Sequence, residues 1–546
     1  MNRSLLSPMW WHICLLTILA VAAFFPGLGH VHLFDWDEIN FAEAAREMLI
    51  TGNYGQVQIN FEPFYEKPPL FFWLQAWSMR LWGINEFAAR FPNACCGVVT
   101  LLTLYLMGKA EKNTRFGLFW ALAHLSALLP HFYFKTGIID PVFNYLIFLS
   151  IYAIVKLYGQ PKRRLAHIWA CVGGLAIGAS ILAKGPVGLS IVTLVMGCYG
   201  VRYHTKPFPS VGACLIYVAS ACSMPVAWFG YEAYQHGIGF ITHFLANHLA
   251  LVSQPVAGHG QPVYYHFVVI AFGCFPVSII AGKYLLASQG ETRSTMESIM
   301  RILFWVVMIL FSLVTTKIVH YASLAYLPLS YLAAHHLYDL SREKQSPCIW
   351  TKMALGSLGL GISLVFIAIP VLACHKEHFY PFMHDVYTLA CIQLPVNWRV
   401  QDSVVGCSFL ALQAIAFYAL HRRRVFAYLL SVAIATTCAL YMATVCIIPK
   451  IEQHLQGPAI AFYQQLAGKK VSVTTVGFKS YAPFFYAQQL PALAPQVLDA
   501  TMRIAELPQL TMYFVTRVDN LKAPAPYSAA ELLYTEGGFS FWVMRG

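Results

Sequence analysis

Apolar residues fall in long blocks between Trp10 and Ile447, and polar residues collect in the short connections between them. A helix needs roughly 20 apolar residues to cross a bilayer. About thirteen blocks approach that length: 10–28, 88–107, 116–130, 141–158, 167–183, 187–202, 211–229, 264–285, 301–315, 319–338, 351–373, 403–421 and 425–447. Each predicts a membrane helix. Two regions depart from the pattern. Between Ile39 and Leu49, Glu43 and Glu47 share one helical face while Phe41, Ala45 and Met48 take another, which predicts an amphipathic helix lying along the interface. After Pro449 the blocks end, and Lys469–Gly477 alternates with the period of a strand. The expected architecture is a polytopic α-helical membrane protein. Residues 1–449 form its transmembrane domain, including a long first external loop, 30–87, with interfacial helices. Residues 450–546 form a small C-terminal external α/β domain.

Composition supports the bilayer as the main solvent. Hydrophobic residues make up 58% and charged residues 11%, against about a quarter charged in soluble domains. The net charge of +12 would suit nucleic acid, but its distribution follows membrane topology instead. With the N-terminus in the cytoplasm, Lys109, Lys112 and Arg115, then Lys162, Arg163 and Arg164, then Arg422, Arg423 and Arg424 all fall on the cytoplasmic side. The connection 231–263 falls outside and has no Lys or Arg. This predicts a multi-pass bacterial inner-membrane protein with a periplasmic C-terminus and no nucleic-acid partner. Ala20–Ala23 resembles a signal-peptide cleavage region, but only Arg3 precedes the first block, and a spanning helix fits the later topology better. The 14 cysteines include no CxxC pair and read as small apolar residues. Cys374 and Cys391, in one external loop, are candidates for a disulfide.

The first external loop concentrates the chemistry. Asp35, Asp37 and Glu38 open the amphipathic stretch, and Phe64-Tyr65-Glu66-Lys67-Pro68-Pro69 precedes an aromatic run. The prolines hold Lys67 at a turn at membrane level, where its compact cation suits a phosphate. Asp140, Lys184, Lys317 and His320 lie at the predicted external ends of other spans. Charges at the edge of the hydrocarbon are costly and are functional candidates by default. An interfacial loop with solvated acids and a snorkelling Lys explains the same residues, and the two readings stand side by side.

Asp37-Glu38-x-x-Phe41-Ala42-Glu43, Tyr65-Glu66-Lys67-Pro68, Arg90-Phe91-Pro92, Lys184-Gly185, Lys317 through Pro328 and the tail segment 477–486 together resemble the lipid-carrier-dependent GT-C glycosyltransferases. The branch is that of the lipid A aminoarabinose transferase, within the protein-O-mannosyltransferase-like superfamily. The resemblance implies thirteen spans and a periplasmic C-terminal domain. It implies that Asp37 is a catalytic-site acid and that Lys67 binds the carrier phosphate; Glu38 and Asp140 are the further catalytic candidates, and Lys184, Lys317 and His320 the further donor-phosphate candidates. Phe41, Glu43, Tyr65 and Tyr321 are the candidates for the substrate pocket. Phe41 and Phe64 stand where that branch carries Tyr.

The implied reaction is inverting transfer of a sugar from an undecaprenyl-phosphate carrier to an acceptor at the periplasmic face. Lipid A with an aminoarabinose-like sugar is the first expectation, and a protein or polysaccharide acceptor the alternative. A transporter of lipid-linked sugar is a distant rival, because no inverted repeat is visible. The expected partners are the donor, a lipid or protein acceptor, and membrane lipids. No cofactor is required. Glu66 resembles a position that can ligate a metal in the aminoarabinose branch, and with His375 and His378 it makes a divalent ion such as zinc an expectation. His236, His243, His248, His259 and His384 supply further external imidazoles.

Overall fold

The computed structural model describes residues 8–158, 160–203, 209–242, 244–246, 260–286, 294–491, 511–519 and 530–545. Each of the thirteen apolar blocks contains helix. Among the described residues, eight helices are long and apolar enough to cross a membrane singly. The block 264–285 is not one straight helix but the pair Tyr265–Gly273 and Val277–Leu286, bent by 119°, the shape of a broken span or a re-entrant loop. Pro8–Phe24, Thr114–Ser126, Val187–Arg202 and Tyr326–Arg342 are shorter. The chain is a multi-pass membrane protein.

The first loop is folded, not draped along the interface. Helix Asp37–Thr51 buries every residue from Glu38 to Met48, so both of its faces are covered. One side packs on helix Leu70–Trp82, and the other on the short helix Ala482–Tyr486 of the tail. The expectation of a helix with a solvated acidic face is therefore corrected: a segment more than 400 residues away covers that face.

The tail carries a four-stranded sheet in the order Ser472–Thr475, Met512–Arg517, Phe539–Met544, Glu531–Glu536. The first pair is parallel and the others antiparallel. Gly537 and Gly538, both at positive φ, close the last hairpin in two residues. The tail shares one continuous apolar core with the membrane helices. Its hydrogen bonds fix it on the same face as the first loop: Tyr486 receives the Leu33 N–H at 2.7 Å, and Gln456 donates to the Leu33 carbonyl at 2.9 Å. Cys374 and Cys391 are not bridged. Cys391 instead donates to the Gly537 carbonyl at 3.5 Å.

Candidate active site

The site is assembled from helix ends. Asp37 is the first residue of Asp37–Thr51, and Asp140 the first of Asp140–Leu157. Lys184 is the last residue of Arg163–Lys184, which stops at Gly185 with φ +81°. Acids at helix N-termini and a cation at a C-terminus each sit where the helix dipole favours their charge. Pro69 caps helix Leu70–Trp82 and holds Lys67 immediately ahead of it.

These ends converge into one chain of charges. Lys184 Nζ lies 2.5 Å from Asp140 Oδ1, His320 Nε2 lies 3.8 Å from Asp140 Oδ2, and the same nitrogen lies 3.4 Å from Asp37 Oδ2. Asp140 is almost enclosed, whereas the Asp37 carboxylate remains 39% exposed; Asp37 is the acid that a substrate can reach. Lys67 senses Glu66, Lys184, Asp37 and Asp140, and burial pulls its pKa below the usual lysine value. Burial likewise keeps His320 below the ordinary histidine pKa, against the pull of Asp140 and Asp37. The Lys184 ammonium sits 5.1 Å from the Tyr321 ring centre.

A second layer fixes His320. Its carbonyl accepts the Ser323 hydroxyl. That spends the only proton of Ser323, so the Tyr133 hydroxyl at 2.6 Å and the Asn144 amide at 2.8 Å must donate to the Ser323 oxygen. Asn144 is one turn beyond Asp140 on the same helix, so one node holds both groups in register.

Several expected site residues are placed elsewhere. Glu38 is no free acid. It accepts from Arg90 Nε at 3.0 Å and Nη2 at 2.8 Å, and from the N–H groups of Phe34 and Gly137 at 3.0 and 2.6 Å. The Arg90 charge and these donors hold its pKa low despite burial. Arg90 also binds the carbonyls of Leu28, Val31 and His32. The pair clamps the turn that leads into helix Asp37–Thr51. Glu43 forms a two-point bond with Arg46, both contacts 2.7 Å, and Arg46 donates to the Gln489 carbonyl of the tail at 2.8 Å. Phe41 packs edge-on to Phe71 and Phe72. Neither Glu43 nor Phe41 lines an open pocket. Lys317 is buried and donates to the Val314 carbonyl at 2.7 Å, capping the preceding helix instead of joining Lys67. Tyr65 lies at the rim, tilted against the Phe240 ring at 5.4 Å.

The metal ligand set does not assemble. Among the described residues, no three His, Cys, Asp or Glu side chains lie close enough to hold an ion. Glu66 is exposed beside Lys67, and the His375 ring meets that of His378 with centroids 6.1 Å apart. Glu66, His375 and His378 therefore do not converge on one ion site in this structure. His236 pairs with Glu232 at 3.1 Å, and His243, His248 and His259 lie outside the described residues.

The dolichyl-phosphate-mannose-protein mannosyltransferase family matches residues 66–229. The undecaprenyl phosphate-alpha-4-amino-4-deoxy-L-arabinose arabinosyl transferase of Pectobacterium carotovorum is 27% identical over 350 residues, covering 60% of this chain and 62% of its own. A second such transferase, from Proteus mirabilis, is 25% identical over 390 residues, covering 69% and 68%. ArnT from Cupriavidus metallidurans, solved with bound undecaprenyl phosphate, superposes with a TM-score of 0.77 at 18% identity over 98% of both chains. The chain has the fold of that ArnT structure. The Pectobacterium alignment spans just under two thirds of that relative, whereas the GT-C fold extends over nearly the whole chain.

The tail also brings Lys479 and Tyr481 against Trp36, one residue before Asp37, a meeting the chain order does not announce. The sequence signals are an aromatic next to the acid and a lone Lys in GFKSYAPFFY.

Proposed function

We propose that this protein is an inverting glycosyltransferase that moves a sugar from undecaprenyl phosphate to a lipid acceptor at the periplasmic face of the inner membrane. Lipid A and an aminoarabinose-like sugar are the proposed pair. The N-terminus lies in the cytoplasm and the tail in the periplasm. The observation that carries the reading is the juxtaposition of an accessible acid, Asp37, with Lys67 and the Asp140-held Lys184 at one membrane face. The names of the relatives support the same donor and sugar class.

In this reading the acceptor oxygen attacks the anomeric carbon from the face opposite the carrier. The carbon–oxygen bond to the phosphate breaks, and its electron pair leaves on undecaprenyl phosphate. Lys67 and Lys184 stabilise that developing charge. Asp140 holds Lys184 in place, and His320 spans the two acids. A phosphate acceptor is already an anion and needs no base, so Asp37 orients the sugar and stabilises positive charge at the anomeric carbon. With a hydroxyl acceptor, Asp37 would take the proton.

Mass spectrometry of lipid A, glycans and glycoproteins from cells with and without the protein tests this. Loss of a sugar-sized increment from lipid A is the expected result. A change confined to glycoproteins would transfer the reading to a protein acceptor. No change in any class would sink it.

A further inference from the structure

Trp36 stands at φ +68° and ψ −92°, a conformation costly for any residue with a side chain. The strain lies one residue before Asp37 and turns the indole outward, where it remains 42% exposed. Over it sits Lys479 from the tail, its ammonium 5.5 Å from the Trp36 ring centre and 5.2 Å from that of Tyr481. The two rings meet edge to face at 6.1 Å. Asp35 ties the pieces together, because its Oδ1 receives the N–H groups of both Trp36 and Tyr481 at 3.2 Å. Among the described residues Lys479 is exposed and has no carboxylate partner within ion-pair distance. Tyr481 senses both Lys479 and Glu66, so this group borders the Lys67 turn.

Two cationic zones therefore flank Asp37. One, Lys67 with Lys184, lies toward the membrane helices. The other, Lys479 over Trp36 and Tyr481, belongs to the tail and faces out. A transfer between two anionic lipids needs two such zones, one for each partner.

We infer that Lys479, Trp36 and Tyr481 form the acceptor-side subsite, which takes a phosphate monoester on the head of a glycolipid acceptor. Lys479 supplies a point charge for the phosphate, and the rings hold that ammonium by cation–π contact while offering an apolar ledge to the sugar. The inference rests on the glycosyltransferase reading and names how its acceptor is recognised. Because Lys479 comes from the tail, it also gives the tail a direct part in choosing the acceptor.

The test uses the full-length purified protein, an undecaprenyl-phosphate sugar, and two acceptors: a glycolipid carrying phosphate monoesters and the same glycolipid without them. Lys479→Gln should raise KM for the phosphorylated acceptor about tenfold, the loss expected for one charge-assisted bond. Its donor KM should stay unchanged, which also reports an intact fold. Lys479→Arg should recover most of the loss. An unchanged acceptor KM, or an equal rise in donor KM, overturns the inference. Native mass spectrometry of the phosphorylated glycolipid bound to wild-type protein and to Lys479→Gln reads the subsite without turnover. Equal binding overturns it; weaker binding by the variant upholds it even if no sugar is transferred, a result that would count against the enzymatic reading alone.

Discussion

Asp37 and Lys67 divide the chemistry by exposure. Asp140 is sealed against Lys184, so the Asp37 carboxylate is the one that can meet substrate. Asp37→Asn keeps the size of the side chain and should leave expression and folding intact while transfer falls about 100- to 10,000-fold, the range for losing a positioned acid or base. Transfer at the wild-type rate with purified donor and acceptor would remove Asp37 from the site. Lys67→Ala should weaken donor binding as well as lower kcat, the latter by about 100- to 1,000-fold if the ammonium stabilises the departing phosphate. Burial already depresses the Lys67 pKa. Its charge is lost as pH rises through that lowered value, so donor binding in the wild type should weaken at a lower alkaline pH than for an ordinary lysine. A donor titration across pH, with Lys67→Arg as the permanently charged control, checks this. If both proteins weaken at the same pH, Lys67 is only a headgroup anchor.

Helix Asp37–Thr51 shows how an element can carry buried acids without exposing them. Glu47 accepts the N–H groups of Asn60 and Phe61 at 2.6 and 2.8 Å. Burial, followed by the neighbouring Glu43, pushes its pKa up to about 9. The raised folded pKa means that the folded state binds a proton that the unfolded chain releases near its ordinary value of 4.5. The resulting stability is complete below that ordinary value and declines as pH rises toward about 9. Glu47→Gln should flatten this decline while leaving the acidic side little changed. Thermal unfolding in detergent between pH 5 and about 9 is the measurement. Equal slopes in both proteins would show that Glu47 is ionised in the fold. Glu43, on the same face, is bound by Arg46 at two points.

The whole molecule places every group of the candidate site at one face. Helix Arg163–Lys184 has 22 residues and so rises about 33 Å, which puts the Arg163–Arg164 pair across the bilayer from Lys184. The tail is bound to the first loop through Leu33, Asp35 and Arg46. Tail and loop must therefore share a compartment. A periplasm-dependent reporter fused after Gly546 should be active, and one requiring the cytoplasm silent. The reverse result would invert the topology and move the proposed reaction to the other face. The same packing predicts that the tail cannot be treated as a detachable domain, since its core is continuous with that of the helices.

Chain order alone specified the membrane class, the helix positions and the loop that holds the chemistry. The reason is local: hydrocarbon demands long apolar blocks, and charges survive only at their ends, so Asp37, Lys67, Asp140 and Lys184 stand out wherever the blocks stop. Tertiary packing decided what each charge does. Glu38 and Asp37 are neighbours of the same chemical type, yet Arg90, 52 residues on, neutralises one and leaves the other open. Lys317 carries the same charge as Lys67 but finds a helix-terminal carbonyl first. Periodicity correctly put Glu43 and Glu47 on one face of a helix. It had no means of showing that Gln489 and the helix Ala482–Tyr486 would cover that face, or that Lys479 would arrive beside Trp36. Such meetings join residues more than 400 positions apart, and no period or spacing within either segment encodes them; only the closed fold brings their charges within reach.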